Sequence, residues 1–141
     1  PKAESPENKS YGSDNTYSDN DLYMNGPEVF NFTTKRIPSF TKNVLDQNNL
    51  EIKDVDQFIF HQANSFMLDF LRKKIGIERE AFYNNILDGG NTVSCTIPIA
   101  LKRYSESTDL NSSNLPQKII IVGFGVGLSW AGGVININNK L

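Results

Sequence analysis

The sequence predicts an α/β fold layered around a mixed β-sheet, and three observations carry that expectation. Segments with helical spacing of apolar residues alternate with short β-branched and aromatic runs, in the order helix–strand–helix–strand–helix–strand–strand. Lys118 to Gly123 is almost continuously apolar, the pattern of a strand buried on both faces. Gly123-Phe124-Gly125-Val126-Gly127 reads as a tight hairpin turn needing positive φ, leading into a last strand, Leu128 to Asn138. No internal repeat is visible.

The elements follow in chain order. Residues 1–25 are rich in Ser, Asn, Asp and Tyr with little periodicity, so they read as a polar loop or linker ahead of a domain at 26–141. Gly26-Pro27 opens an amphipathic segment whose residues Val29, Phe30, Phe32, Thr33, Ile37, Phe40, Val44 and Leu45 approximate a helical stripe. Pro38 is expected to bend or interrupt that helix, and Asn48-Asn49 to end it. Val55 to Phe60 reads as a short buried strand with His61 at its C-terminal end. Ala63 to Ile75 follows as a helix, with Arg72, Lys73 and Lys74 in its last turn and Gly76 just beyond. Phe82 to Leu87 is a strand candidate and Asp88 to Asn91 a turn. Thr92 to Tyr104 reads as a buried helix containing Pro98, and residues 105–117 as a polar loop.

Bulk properties exclude several classes. A net charge of -2 gives no case for nucleic-acid binding by overall charge. The one cysteine, Cys95, excludes an intrachain disulfide and makes a reducing, cytoplasmic compartment the expectation. No apolar run approaches the roughly 18 residues of a membrane-spanning helix. The start, Pro1-Lys2-Ala3-Glu4-Ser5, lacks an initiator Met and an apolar signal core, and reads as an internal cut in a longer polypeptide.

Few residues can carry chemistry. His61 is the sole histidine; a lone histidine is usually structural, but strand ends in α/β folds face the ligand crevice. Its neighbours Gln62, Ala63 and Asn64 are short or polar and keep such a mouth open. Asn91 is either a helix N-cap or an amide donor fixed at a helix start, two roles that one side chain does not easily fill together. Gly123 to Gly127 lacks the Lys-Ser/Thr of a P-loop, leaving a hairpin turn or a backbone N–H aimed at a reacting carbonyl. Cys95 has no basic neighbour to lower its pKa and reads as a small buried residue. Arg72-Lys73-Lys74 is a solvated helix end or a docking patch for an acidic partner.

Several strings resemble β-ketoacyl-acyl-carrier-protein synthase III over its C-terminal half. His61-Gln62-Ala63-Asn64 closing a strand is similar to that family's hallmark. Gly90-Asn91-Thr92 with Ser94, Ile97-Pro98 and Ala100-Leu101 is similar to its second signature. Gly123-Phe124-Gly125-Val126-Gly127-Leu128-Ser129-Trp130 with Gly132-Gly133 is similar to its third, and Asn25-Gly26-Pro27-Glu28-Val29-Phe30 to the start of its first helix. The resemblance runs from about Leu22 to Asn138.

The resemblance implies one half of a thiolase-like fold, a mixed sheet with helices on both faces. That half begins with a strand placed centrally in its sheet, for which residues 1–25 offer no equivalent. It implies a Cys-His-Asn site in which His61 and Asn91 are present and the nucleophilic cysteine belongs to the absent N-terminal half; Cys95 does not match that position. Gly123, Gly125 and Gly127 are the candidates for backbone help at an oxyanion, and Asn64 and Phe124 for substrate contact. Implied partners are acyl-CoA, malonyl-acyl-carrier protein, the N-terminal half and a second copy in a homodimer, with no cofactor or metal and neither nucleic acid nor membrane. Phe66 stands where family members often carry a basic residue for carrier-protein docking, whereas Lys73 and Lys74 match basic positions of the same helix and are the candidates for meeting an acidic carrier protein. The other reading is a non-catalytic ketosynthase-like subunit that binds acyl chains or partners; retention of both His61 and Asn91 argues against it. The chain alone is then expected to be inactive.

Overall fold

The structure, a computed structural model, describes residues 25–107, 118–125 and 127–137. The polar stretch 1–24, which holds most of the expected linker, lies outside them, as does 108–117.

Helix α1 spans Gly26–Gln47, with Asn25 accepting from the Glu28 N–H at its N-cap and Pro27 in its first turn. It runs unbroken through Pro38, contrary to the expected interruption. A mid-helix proline costs about 3 kcal/mol, but both halves of α1 are held on one sheet face by buried Thr33, Ile37, Thr41, Val44 and Leu45. Thr33 and Thr41 donate their hydroxyls to the carbonyls of Val29 and Ile37, so they enter the core without an unpaired oxygen. Asn48 and Asn49 end the helix, the latter at φ 53°.

Strand β1 is Gln57–Phe60, buried throughout. Helix α2, Ser65–Ile75, starts two residues later than its apolar pattern suggests, because Asn64 caps it by accepting from the Met67 N–H. Gly76 closes it at φ 85°, the left-handed position that glycine adopts cheaply. The expected strand from Phe82 to Leu87 shrinks to β2, Phe82–Tyr83; Ile86–Gly89 is the short helix α3. A 3-10 turn at Val93–Cys95 precedes α4, Thr96–Ser107, which begins later than the expected Thr92 and takes in residues assigned to a loop. Only Thr96 and Ala100 of α4 are buried, so it is half-exposed rather than a buried helix.

Strands β3, Lys118–Gly125, and β4, Ser129–Asn136, form an antiparallel pair that extends the expected strand through Gly123 and Gly125. The sheet order is β2-β1-β3-β4, parallel except for β4. β1 and β3 pair directly over Gln57–Phe60 and Ile119–Val122. The sheet therefore has no central gap, which corrects the placement of a missing first strand in the middle: a further strand can join only at an outer edge.

Alternation along the strands assigns the faces. Phe58, Phe60, Ile120, Val122 and Phe124 pack under α1 and α2 with Ile37, Leu68 and Leu71. Ile59, Ile119 and Ile121 point the other way, toward Ala100, Leu101 and Tyr104 of α4. Helices thus cover both faces, as expected, but unequally.

Candidate active site

β1 delivers His61 to the carboxyl end of the sheet. The His61 N–H donates to Val122 O at 2.8 Å, so the residue stays tied to β3 after the strand ends. Its ring packs edge-on against Phe124, with centroids 5.3 Å apart and planes at 88°. Burial disfavours the imidazolium and holds the His61 pKa below its ordinary 6.5. At neutral pH the ring is therefore neutral, with one N–H to give and one lone pair to receive. Its Nδ1 lies 2.6 Å from Thr96 Oγ1, at the first residue of α4.

Gln62 is buried and fully engaged, which corrects its assignment as a polar lining of an open mouth. Its NH2 donates to Phe60 O at 2.8 Å and its Oε1 accepts from the Asn85 N–H at 2.8 Å. It clamps the end of β1 to the segment after β2, and so steadies the turn that carries His61. Asn64 is exposed and uses Oδ1 to cap α2, which leaves its NH2 as the end with hydrogens to offer.

Asn91 Oδ1 accepts from the Val93 N–H at 2.9 Å. It therefore closes a turn into the 3-10 segment and does not cap α4. This arrangement uses the oxygen and leaves the NH2 as the end with hydrogens to offer. Val93 itself sits at φ 54°, a left-handed conformation that is costly for a β-branched residue. Its carbonyl lies 3.1 Å from Thr96 Oγ1. A hydrogen-bonded path thus runs from His61 through Thr96 and Val93 to Asn91.

The glycine-rich stretch is mostly strand. Gly123 and Gly125 pair with Ala131 and Ser129 in the β3–β4 ladder, and of the three glycines only Gly127 takes positive φ, at 80°. The turn lies later than expected, because β3 keeps its pairing two residues further. Cys95 is exposed, not buried. Lys73 pairs with Asp69 at 2.7 Å, which also binds Arg72 and whose carboxyl these partners hold below the usual range. Lys74 Nζ lies 5.8 Å from the centre of the Phe70 ring. Phe66 is 72% exposed and stacks on Phe30. Among the described residues no group of His, Cys, Asp and Glu is placed to hold a metal ion, and no helix is long and apolar enough to cross a membrane.

Sequence reasoning missed Thr96 and the clamping role of Gln62. Thr96 lies 35 residues from His61 in the chain, and a threonine at a helix start has a sufficient local reason to be there. Only the packing of α4 against β1 makes it a partner of the histidine.

Comparison with known proteins bears on the same residues. Residues 45–137 match the model of the 3-oxoacyl-[acyl-carrier-protein] synthase III C-terminal family. The β-ketoacyl-[acyl-carrier-protein] synthase III of Clostridium perfringens is 38% identical over 134 residues, covering 94% of this chain and 40% of that protein. The same enzyme of Clostridium tetani is 41% identical over 114 residues, 81% of this chain and 33% of its relative. A crystal structure of a 3-oxoacyl-(acyl-carrier-protein) synthase III superposes with a TM-score of 0.81 at 37% identity, covering 97% of this chain and 40% of that one. The synthase III from Thermus thermophilus gives 0.76 at 32% identity, over 86% of this chain and 37% of its own. The chain thus spans about 40% or less of the length of these relatives. The mixed sheet with helices on both faces is the thiolase-like architecture of these neighbours. Motif, fold and similarity agree, and the chain belongs to the 3-oxoacyl-[acyl-carrier-protein] synthase III family, over that family's C-terminal domain.

Proposed function

We propose that this chain supplies the histidine–asparagine part of a decarboxylative condensing site. It does so together with an N-terminal half that carries the nucleophilic cysteine, in a cytoplasmic homodimer without a resident cofactor. The observation that carries this reading is a neutral His61 ring at the carboxyl end of β1, tied by hydrogen bonds to the segment presenting Asn91. Substrates are acyl-CoA and malonyl-acyl-carrier protein.

The reaction sets the donor requirement. The cysteine thiolate takes the acyl group from its thioester, expelling the CoA thiolate. Malonyl-carrier protein then loses CO2, and the electrons of the broken C–C bond form an enolate with negative charge on the thioester oxygen. Neutral N–H groups of His61 and Asn91 stabilise that charge without first being neutralised by it. The enolate carbon attacks the acyl-cysteine, and collapse of the tetrahedral intermediate releases β-ketoacyl-carrier protein and the thiolate. A backbone N–H from the stretch Gly123 to Gly127 assists at that second oxyanion. Lys73 and Lys74 are the proposed docking cations, with Lys73 exchanging Asp69 for a carboxylate of the carrier.

Leu87 is 94% and Val93 69% exposed, on the segments flanking Asn91, where the N-terminal half is proposed to pack.

The test is reconstitution. The chain alone should give no ketoacyl product and no acyl adduct on Cys95; joined to a synthase III N-terminal half it should condense. In that enzyme His61→Ala and Asn91→Ala should slow malonyl decarboxylation by about 10²–10³-fold and spare acyl transfer to the cysteine more. An acyl-Cys95 adduct, or equal losses in both half-reactions, overturns the reading.

A further inference from the structure

We infer that Arg103 of α4 is the positioning residue that holds α3, and with it the turn presenting Asn91, through the side chain of Asn85 and the bare backbone of Gly89. The inference rests on the reading of Asn91 as an amide donor, but it concerns how one segment is kept in place and can be tested apart from activity.

α3 has little means of holding itself. It is one turn, Ile86–Gly89, with no buried residue and no capping hydrogen bond from the Asn85 side chain. The Ile86 N–H reaches Asn84 Oδ1 only at 3.3 Å. A single helical turn is unfavourable by itself, because its first hydrogen bond must offset the ordering of several residues. Leu87 points almost wholly into solvent, so apolar burial contributes little. Gly90 donates its N–H to Ile86 O at 2.8 Å and takes φ 63°, and Asn91 follows directly. The direction in which α3 ends therefore sets where the Asn91 residue begins.

Polar contacts supply what packing does not. On one side the Asn85 N–H donates to Oε1 of Gln62, the residue after His61, at 2.8 Å. On the other, the Asn85 side chain stands between two charges: Oδ1 accepts from Arg103 Nη1 and Nδ2 donates to Asp88 Oδ2, both at 2.7 Å. The reverse orientation of this amide would set its oxygen against a carboxylate and its NH2 against a guanidinium, so the neighbours fix it. The guanidinium also covers Gly89, where a Cβ would stand 3.2 Å from Nη1, 3.8 Å from Cζ and 3.9 Å from Nη2. Burial raises the pKa of Tyr83, and Arg103 and Asp88 act on that hydroxyl with opposite sign, as charges gathered at one place do. Asn85 is thus a hub, its backbone tied to the turn that carries His61 and its side chain to α4. The planar fork of Arg103 reaches Asn85 and lies over Gly89 at once, a span that suits a guanidinium better than an ammonium.

Nitrogen-15 relaxation of the chain reads the order of residues 86–92 directly. Their amides should have order parameters near about 0.85, and Arg103→Met should lower them toward about 0.6 while leaving β1 and α1 unchanged. Asn85→Ala should do the same, and the double variant no more than either, because both changes remove one interaction. Lys102→Met removes the neighbouring exposed cation, which pairs with Glu106, and should have no effect. Order unchanged in folded Arg103→Met or folded Asn85→Ala, additive losses in the double variant, or an equal loss in Lys102→Met overturns the inference. Asn85→Ala leaves every charge in place and carries the test if Arg103→Met does not fold. In the reconstituted enzyme, Arg103→Met should lower kcat for malonyl decarboxylation by up to about 10²-fold and spare acyl transfer to the cysteine. Loss of order with decarboxylation unaffected would support the tie and overturn the donor role of Asn91.

Discussion

The two faces of the sheet differ in how complete they are. Under α1 and α2, the large side chains Phe58, Phe60, Ile37, Leu68, Leu71, Ile120 and Val122 meet with almost no exposed surface. On the opposite face, α4 contributes one fully buried aliphatic residue, Ala100, against Ile59 and Ile119. The segments leading into it expose Leu87, Val93 and Cys95. The first face holds the larger buried core, although Phe66 of α2 is exposed beside it. The second brings Thr96 of α4 against His61 and holds fewer buried side chains. The separation of the two faces is not complete, because the His61 ring also meets Phe124 of the first core.

Truncations on the two sides should break or sharpen that contrast most clearly. Leu68→Ala removes a fully buried side chain and should cost about 2–5 kcal/mol in chemical denaturation. Leu87→Ala should stay within about 0.5 kcal/mol, since its side chain already faces solvent. Comparable losses at both positions would erase the distinction.

Adjacent glycines of β4 make a finer probe, because they point to opposite faces. A Cβ at Gly132 would run into the backbone carbonyl of Ile121 and lie 3.0 Å from Phe40 of α1, whereas one at Gly133 meets nothing within 4 Å. Gly132→Ala should therefore destabilise by about 1–3 kcal/mol, and Gly133→Ala should be nearly neutral. The melting temperatures of the two variants check the order.

The smallest effect concerns pH. The folded His61 pKa lies below the unfolded value of 6.5, so between the two the unfolded chain binds more protons. Stability from this group is present above pH 6.5, falls as pH drops toward the folded value, and is flat below it. His61→Gln should remove that slope, and a proton-NMR titration of the ring should give a midpoint below that of a free histidine.

Much of this molecule was legible in order along the chain. Alternation of apolar spacing gave the α/β class, KIIIVG gave a buried strand, and Arg72-Lys73-Lys74-Ile75-Gly76 gave a helix end that closes as expected. These are local matters: side-chain periodicity must match the element's own repeat, and a left-handed terminus selects glycine. The strings around His61 and Asn91 also marked a family, because spacing in sequence is preserved wherever the same fold places the same ends together.

What tertiary structure decided was local preference overruled by distant partners. Pro38 fails to break α1 because both flanking turns are buried on the same sheet face. Gly123 and Gly125 are strand rather than turn because β4 supplies hydrogen-bond partners across from them. Asn64 and Asn91, similar in sequence as polar residues at helix starts, diverge: one caps α2, while the other spends its oxygen on a 3-10 turn and keeps its NH2 to give. Above all, the hydrogen-bond partner of the His61 ring comes from α4, separated from it by α2, β2 and α3 in the chain and brought within 2.6 Å only by the packing of that helix on the sheet. A sequence sets which groups are available to hydrogen-bond; which proton goes to which acceptor depends on distances of a few tenths of an ångström, and those exist only after the elements have packed.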